Sequence, residues 1–167
     1  MAITSALPNS FKAELLGGEH DFAAGGNTFK LALFTTSASL DTTTTAYGAP
    51  TSANAVPTST HEVSQSQTDG GASNTAYTAG GRTLTLSGVG TTTVTSFTSF
   101  ADLSVANSNA WTSATFTTAG CLIYNSSVSN KAVAVVSFGG NKTVSNGTFS
   151  IEFPTNNATS AIIRLTS

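Results

Sequence analysis

Five Gly-Gly pairs, at 17–18, 25–26, 70–71, 80–81 and 139–140, divide this chain into short segments. Glycine adopts backbone conformations closed to other residues, so each pair reads as punctuation between periodic stretches. Within most of those stretches apolar residues recur at every second position, the period of a β-strand. In 28–36, Phe29, Leu31 and Leu33 share one face while Lys30, Ala32 and Phe34 share the other, which predicts a strand with both faces partly covered. Strands are expected likewise over 82–89 with Leu84 and Leu86 inward, and over 92–100, 112–117, 120–125, 132–138, 148–153 and 161–165. Residues 121–124 and 133–138 flank a turn-rich stretch, and Phe149, Ile151 and Phe153 alternate with Ser150 and Glu152, so two C-terminal hairpins are expected. One helix is predicted over 10–16, with Ser10 as N-cap and Gly17 as the stop. The pattern predicts an all-β fold: a single antiparallel β-sandwich, jelly-roll-like, spanning 1–167, with a short N-terminal helix at 10–17.

Residues 37–76 break the pattern. They hold Pro50, Pro57, a threonine run at 42–45 and Asp69-Gly70-Gly71, with hardly any large apolar side chain. About forty residues without an element far exceeds the ~12–15 usual in compact domains. This extended loop is therefore expected to be functional, disordered alone, or ordered by a neighbouring subunit.

Composition narrows the function. Only 8% of the residues are charged, against about 25% in an ordinary domain, which leaves few groups from which to assemble an active site. The expectation is a protein that is not an enzyme. Six basic and eight acidic residues are scattered singly, so no stripe exists to hold a nucleic acid or an anionic membrane. The N-terminus lacks a basic region followed by a long apolar run, so the chain is expected to be made and used without export. Cys121 is the single cysteine, which excludes an intrachain disulfide and predicts a buried, unreactive thiol.

Glu19-His20-Asp21 offers the atom types of a cation site, but consecutive side chains diverge and no second cluster completes a shell. It reads as a solvated turn. His61-Glu62 lies in the long loop with no nucleophile near it in sequence. The G-x-S-x-G, H-E-x-x-H, P-loop and EF-hand patterns are absent, and Gly88-Val89-Gly90 fails the dinucleotide fingerprint. No catalytic, cofactor-binding or metal-binding residue is nominated, and no cofactor is expected. Trp111 with Tyr124 or Tyr47 would make a stacking platform for a sugar if exposed, whereas ordinary core or interface packing is the commoner fate of such rings. Phe97 and Phe100 lie three apart, so either a bulge separates them or one is left for a partner.

Several segments together resemble a family of small virion proteins of tailed bacteriophages. They are Phe11-Lys12-Ala13-Glu14-Leu15-Leu16 with His20-Asp21-Phe22, Thr28-Phe29-Lys30-Leu31-Ala32-Leu33-Phe34-Thr35, Tyr77-Thr78-Ala79-Gly80-Gly81, Leu122-Ile123-Tyr124-Asn125, and Asn130-Lys131-Ala132-Val133-Ala134-Val135. The resemblance runs nearly end to end, with an insertion within about 49–74. It implies a virion structural protein assembled in the host cytoplasm, a homo-oligomer whose partners are the major capsid protein or other virion structural proteins. Within that class the expectation is a head decoration (cement) protein on the outside of the capsid shell. The alternatives are a tail, collar or fibre-attachment protein and, from a different class, a carbohydrate-binding or adhesin module.

Overall fold

A computed structural model describes residues 2–48, 61–63 and 76–167, together with the backbone of 68–69 and 72–73. Its elements are α1 (Asn9–Leu16), β1 (Phe29–Phe34), β2 (Thr68–Asp69), β3 (Ala72–Ser73), β4 (Arg82–Thr83), β5 (Leu86–Thr91), β6 (Thr95–Phe100), β7 (Trp111–Asn125), β8 (Lys131–Phe149) and β9 (Ile163–Thr166). A four-stranded sheet has the order β4-β1-β7-β8, a three-stranded sheet the order β5-β6-β9, and β2 and β3 form a small pair. All the strand pairings are antiparallel. This is an all-β, sandwich-like fold with one short helix, the coarser of the two descriptions expected.

The alternation in β1 decides where the core sits. Phe29, Leu31 and Leu33 enter a cluster with Trp111 and Phe116 of β7, Phe100 of β6 and Ile163 of β9, so this face looks across to the three-stranded sheet. Ala32 and Phe34 enter a second cluster with Leu122, Tyr124 and Val135 on the opposite face. The four-stranded sheet is thus apolar on both sides, and the outer side needs its own cover.

That cover comes from the loop expected to lack support. Ala38, Leu40 and Thr44 are fully buried, and the backbone is tied by Thr4 N–H to the Leu40 carbonyl (2.8 Å) and by Ala132 N–H to the Thr45 carbonyl (2.9 Å). Residues 37–48 form no named strand, yet they are ordered by their own chain rather than by a neighbouring subunit. A few small or medium-sized side chains at the right positions, plus paired backbone groups, are enough to dock such a segment. The remainder of the expected loop, apart from 61–63, Ala76 and the backbone of β2 and β3, lies outside the described residues, as does most of the proposed insertion.

Other expectations are corrected. The helix starts at Asn9 after Pro8, with no side-chain cap; Ser10 Oγ instead reaches the Thr44 carbonyl at 3.5 Å. Gly17 is right-handed, and Gly18, at φ +74°, is the residue that ends the helix. The Glu19 N–H meets the Glu14 carbonyl and the Gly18 N–H the Leu15 carbonyl, the paired bonds of a Schellman stop. The expected 82–89 strand splits at 84–85 into β4 and β5, which belong to different sheets. Leu84 turns the corner by donating its N–H to the Phe29 carbonyl at 2.8 Å while Ala101 N–H bonds the Thr85 carbonyl at 2.8 Å.

The stretches 112–117 and 120–125 merge into β7, and Gly139-Gly140 lies inside β8 rather than between strands. Thr118 pairs with Lys142 and Gly120 with Ser137, so residues 138–141 all face Ala119 in a wide bulge. Gly139 (φ +72°) and Gly140 (φ +133°) make that bulge possible. The hairpin from 121–124 to 133–138 forms as expected. The second C-terminal hairpin does not: 148–153 stays half-buried in alternation but bridges Leu103 through Ile151, while β9 pairs with β6. Asp102 Oδ1 accepts Phe153 N–H at 2.7 Å and Ser99 Oγ donates to the Pro154 carbonyl at 2.8 Å, which pulls this segment toward the end of β6 and away from β9.

β6 runs without a shift against β9, and the register shift falls in β5 between Leu86 and Val89. Phe97 and Phe100 therefore face opposite ways. Phe100 is buried, whereas Phe97 lies half-buried over Gly90, where a Cβ would stand 2.5 Å from its ring.

Candidate functional site

All three tyrosines of the chain meet around Glu62. Glu62 bridges Phe34 at the edge of β1, and the flanking bonds from Thr35 N–H to the His61 carbonyl (2.9 Å) and from Val63 N–H to the Leu33 carbonyl (2.9 Å) fix the strip 61–63 there. Its carboxylate is buried. Oε1 accepts the Tyr77 hydroxyl at 2.6 Å and the Gly80 N–H at 2.7 Å, and Oε2 accepts the Tyr47 hydroxyl at 2.9 Å. Tyr124 closes the ring by donating to the Gly80 carbonyl at 2.8 Å and stacking on Tyr47 with centroids 4.5 Å apart. Tyr77 also accepts the Leu33 N–H at 2.9 Å.

This corrects the reading of His61-Glu62 as part of an unsupported loop. Three donors converge on one carboxylate, so the charge is met by hydrogen bonds rather than by a cation. Burial, followed by the neighbouring Glu62 charge, raises the Tyr77 hydroxyl far above its ordinary range. Tyr47 is raised by burial and by its bond to Glu62, and Tyr124 is pushed up to about 12 by burial and then by Glu62. These are protonated donors holding backbone in place.

His20 forms a second polar node, which overturns the expected solvated turn. Its side chain is fully buried, lies 5.0 Å from the Phe11 ring, and bonds Glu14 Oε2 through Nε2 at 3.0 Å. Asn125 fixes the tautomer. Its Oδ1 accepts Ser127 N–H at 3.0 Å, so its Nδ2 must be the donor to His20 Nδ1 (3.1 Å) and to Asn27 Oδ1 (2.8 Å). Neutral His20 therefore carries its proton on Nε2 and donates to Glu14. Lys131 completes the node, 3.4 Å from Glu14 Oε1 and bonded to Glu19 Oε2. The node ties α1 and the following turn to the β7–β8 hairpin. Among the described residues no group of three or more His, Cys, Asp or Glu side chains is arranged to hold a metal ion.

Cys121 is buried in β7, and burial pushes its thiol up to about 12, which suppresses the reactive thiolate. Trp111 is 1% and Tyr124 2% exposed, so neither presents a ring to a sugar. Trp111 instead stacks near Tyr77, with Arg82 5.4 Å above its ring.

Among the described residues, two of the open surface grooves are the most apolar in their lining. One, of about 430 Å³, lies beside the bend of β8 and is lined by Val136, Phe138, Phe149 and Ile151 with Lys142 and Glu152. A smaller one, of about 110 Å³, lies between Leu15 and Phe22 on one side and Val89 and Leu165 on the other.

Sequence reasoning missed both polar nodes. Only His20 and Glu14 lie close in sequence, six positions apart; Glu62 and Tyr77 are 15 apart, His20 and Asn125 105 apart and Lys131 and Glu19 112 apart, so no local spacing links the nodes. Family models, curated proteins and solved structures give no match to this chain.

Proposed function

We propose that this chain is a non-enzymatic bacteriophage virion structural protein, a capsid decoration (cement) protein that binds the outside of the major capsid protein shell. The observation that supports it is how the few ionisable groups are used. Glu62, His20, Glu14, Lys131, Arg82 and Asp102 all hold internal contacts. Hydroxyl and small side chains dominate the exposed positions that remain, so burying such a surface against another protein strips water from few unpaired ions. The resemblance of the segments around β1, Tyr77 and the β7–β8 turn to phage virion proteins supplies the class.

The test is the number of copies in purified particles of the encoding phage, counted by quantitative mass spectrometry against the major capsid protein. Hundreds of copies, retained through a 1 M NaCl wash at which the Debye length is only ~3 Å, are expected. About a dozen copies would move the chain to the collar, tail or fibre attachment, and absence from particles would overturn the reading. The carbohydrate-binding alternative is less favoured, because Trp111 and Tyr124, two of the rings considered for a sugar platform, are buried.

A further inference from the structure

The groove beside the bend of β8 carries one cation and one anion on an apolar floor. Val136, Phe138, Phe149 and Ile151 are partly buried hydrophobics packed on the main core, and they form that floor. Lys142 and Glu152 are both exposed on its walls. Among the described residues the ion pairs are His20–Glu14, Lys131–Glu14 and Lys131–Glu19, so the two groove charges share a groove without pairing with each other. In a chain so poor in charge, two unpaired ions of opposite sign at one apolar groove are a specific feature.

We propose that this groove is a self-association surface: two copies meet about a two-fold axis, with Lys142 of each copy facing Glu152 of the other. A two-fold interface brings the same patch of both copies together, so residue i meets j and j meets i. A rim of a single sign would repel its copy, whereas one Lys and one Glu complement themselves. The apolar floor supplies the area removed from water.

The edge of β8 agrees with this placement. Its first part is closed by the N-terminal segment, through bonds of 3.0 and 2.8 Å between Ala6 and Val135. Beyond the glycine bulge no described strand pairs with the outer edge. The stretch 142–144 is regular against β7, so it is available to a copy. By contrast, the smaller groove beside Val89 and Leu165 has no charged wall to select an occupant.

Sedimentation equilibrium on the purified full chain tests the proposal. The wild type is expected to dimerise with increasing concentration. Lys142→Glu and Glu152→Lys should each weaken the dimer by more than about tenfold, since each sets like charges against each other. The combined Lys142→Glu/Glu152→Lys variant should recover the wild-type constant. Both residues are exposed, and circular dichroism would verify that all three variants fold. A monomer at every concentration, single variants without effect, or a double variant that fails to recover would each overturn the proposal. The experiment needs no phage particle, so its outcome is separate from that of the copy count.

Discussion

Tyr77 and Glu62, fifteen residues apart, meet through a 2.6 Å hydrogen bond, and the same hydroxyl accepts the Leu33 N–H from β1. One side chain thus joins a buried carboxylate to the backbone of a central strand. Removing either partner leaves buried groups without hydrogen bonds.

Glu62→Ala should destabilise the fold by about 3 kcal/mol or more, because two buried donors and the half-buried Tyr47 hydroxyl lose their acceptor at once. Glu62→Gln keeps one acceptor oxygen and should cost about half as much. Urea denaturation of the two variants checks the order, and equal stability to wild type would remove the clamp.

Tyr77→Phe should cost about 2 kcal/mol, more than Tyr47→Phe, since only the first also strands a backbone N–H. Tyr47 is half-buried and its loss leaves Glu62 with two donors. The same denaturation series would read the difference.

Stability should fall at alkaline pH. The Tyr124 hydroxyl and the Cys121 thiol are each pushed up to about 12 in the fold, from ordinary values of 10.0 and 9.0. Above those ordinary values the unfolded chain releases protons that the folded chain retains, so unfolding becomes favoured as pH rises. The protection is complete below pH 9 and is lost progressively toward about 12. Denaturation midpoints measured from pH 8 upward should decline, and Cys121→Ala should flatten the part that begins near 9.

His20→Ala, which the sequence alone would treat as harmless, should cost about 2–3 kcal/mol. It empties a buried site and leaves the Asn125 donor and the Glu14 acceptor short of partners. Thermal melting checks this, with His20→Gln expected between the wild type and the alanine variant.

The two glycine pairs 80–81 and 139–140 should respond differently to alanine. At Gly81 (φ +70°) a Cβ would overlap the Leu31 carbonyl, so Gly81→Ala should prevent stable folding. At Gly139 (φ +72°) nothing stands within 4 Å, so Gly139→Ala should cost only the ~1–2 kcal/mol of left-handed backbone. Soluble yield and denaturation midpoints separate the two.

The contrast between β1 and the polar nodes shows what the sequence made legible. Alternation along Phe29–Phe34 is a local property, so both faces of that strand are readable from the order of its residues alone. The hairpin at 121–138 is readable for the same reason, since its halves are adjacent. By contrast β9 and β6 are distant in sequence, and their pairing depends on bonds from Asp102 and Ser99 to residues 153–154 that no period announces. Glu62 and His20 look solvated in sequence because charge usually implies exposure, and only the fold supplies their donors.

The outer edge of β1 is closed by two short pieces of chain, the strip 61–63 and the two residues of β4. Phe29-Lys30-Leu31-Ala32-Leu33-Phe34 is an apolar stretch with a single charge and no proline, the composition that nucleates cross-β fibrils when its edge is open. Glu62 anchors the strip that covers this edge, so loss of that anchor would expose β1 as a template for chain-to-chain stacking.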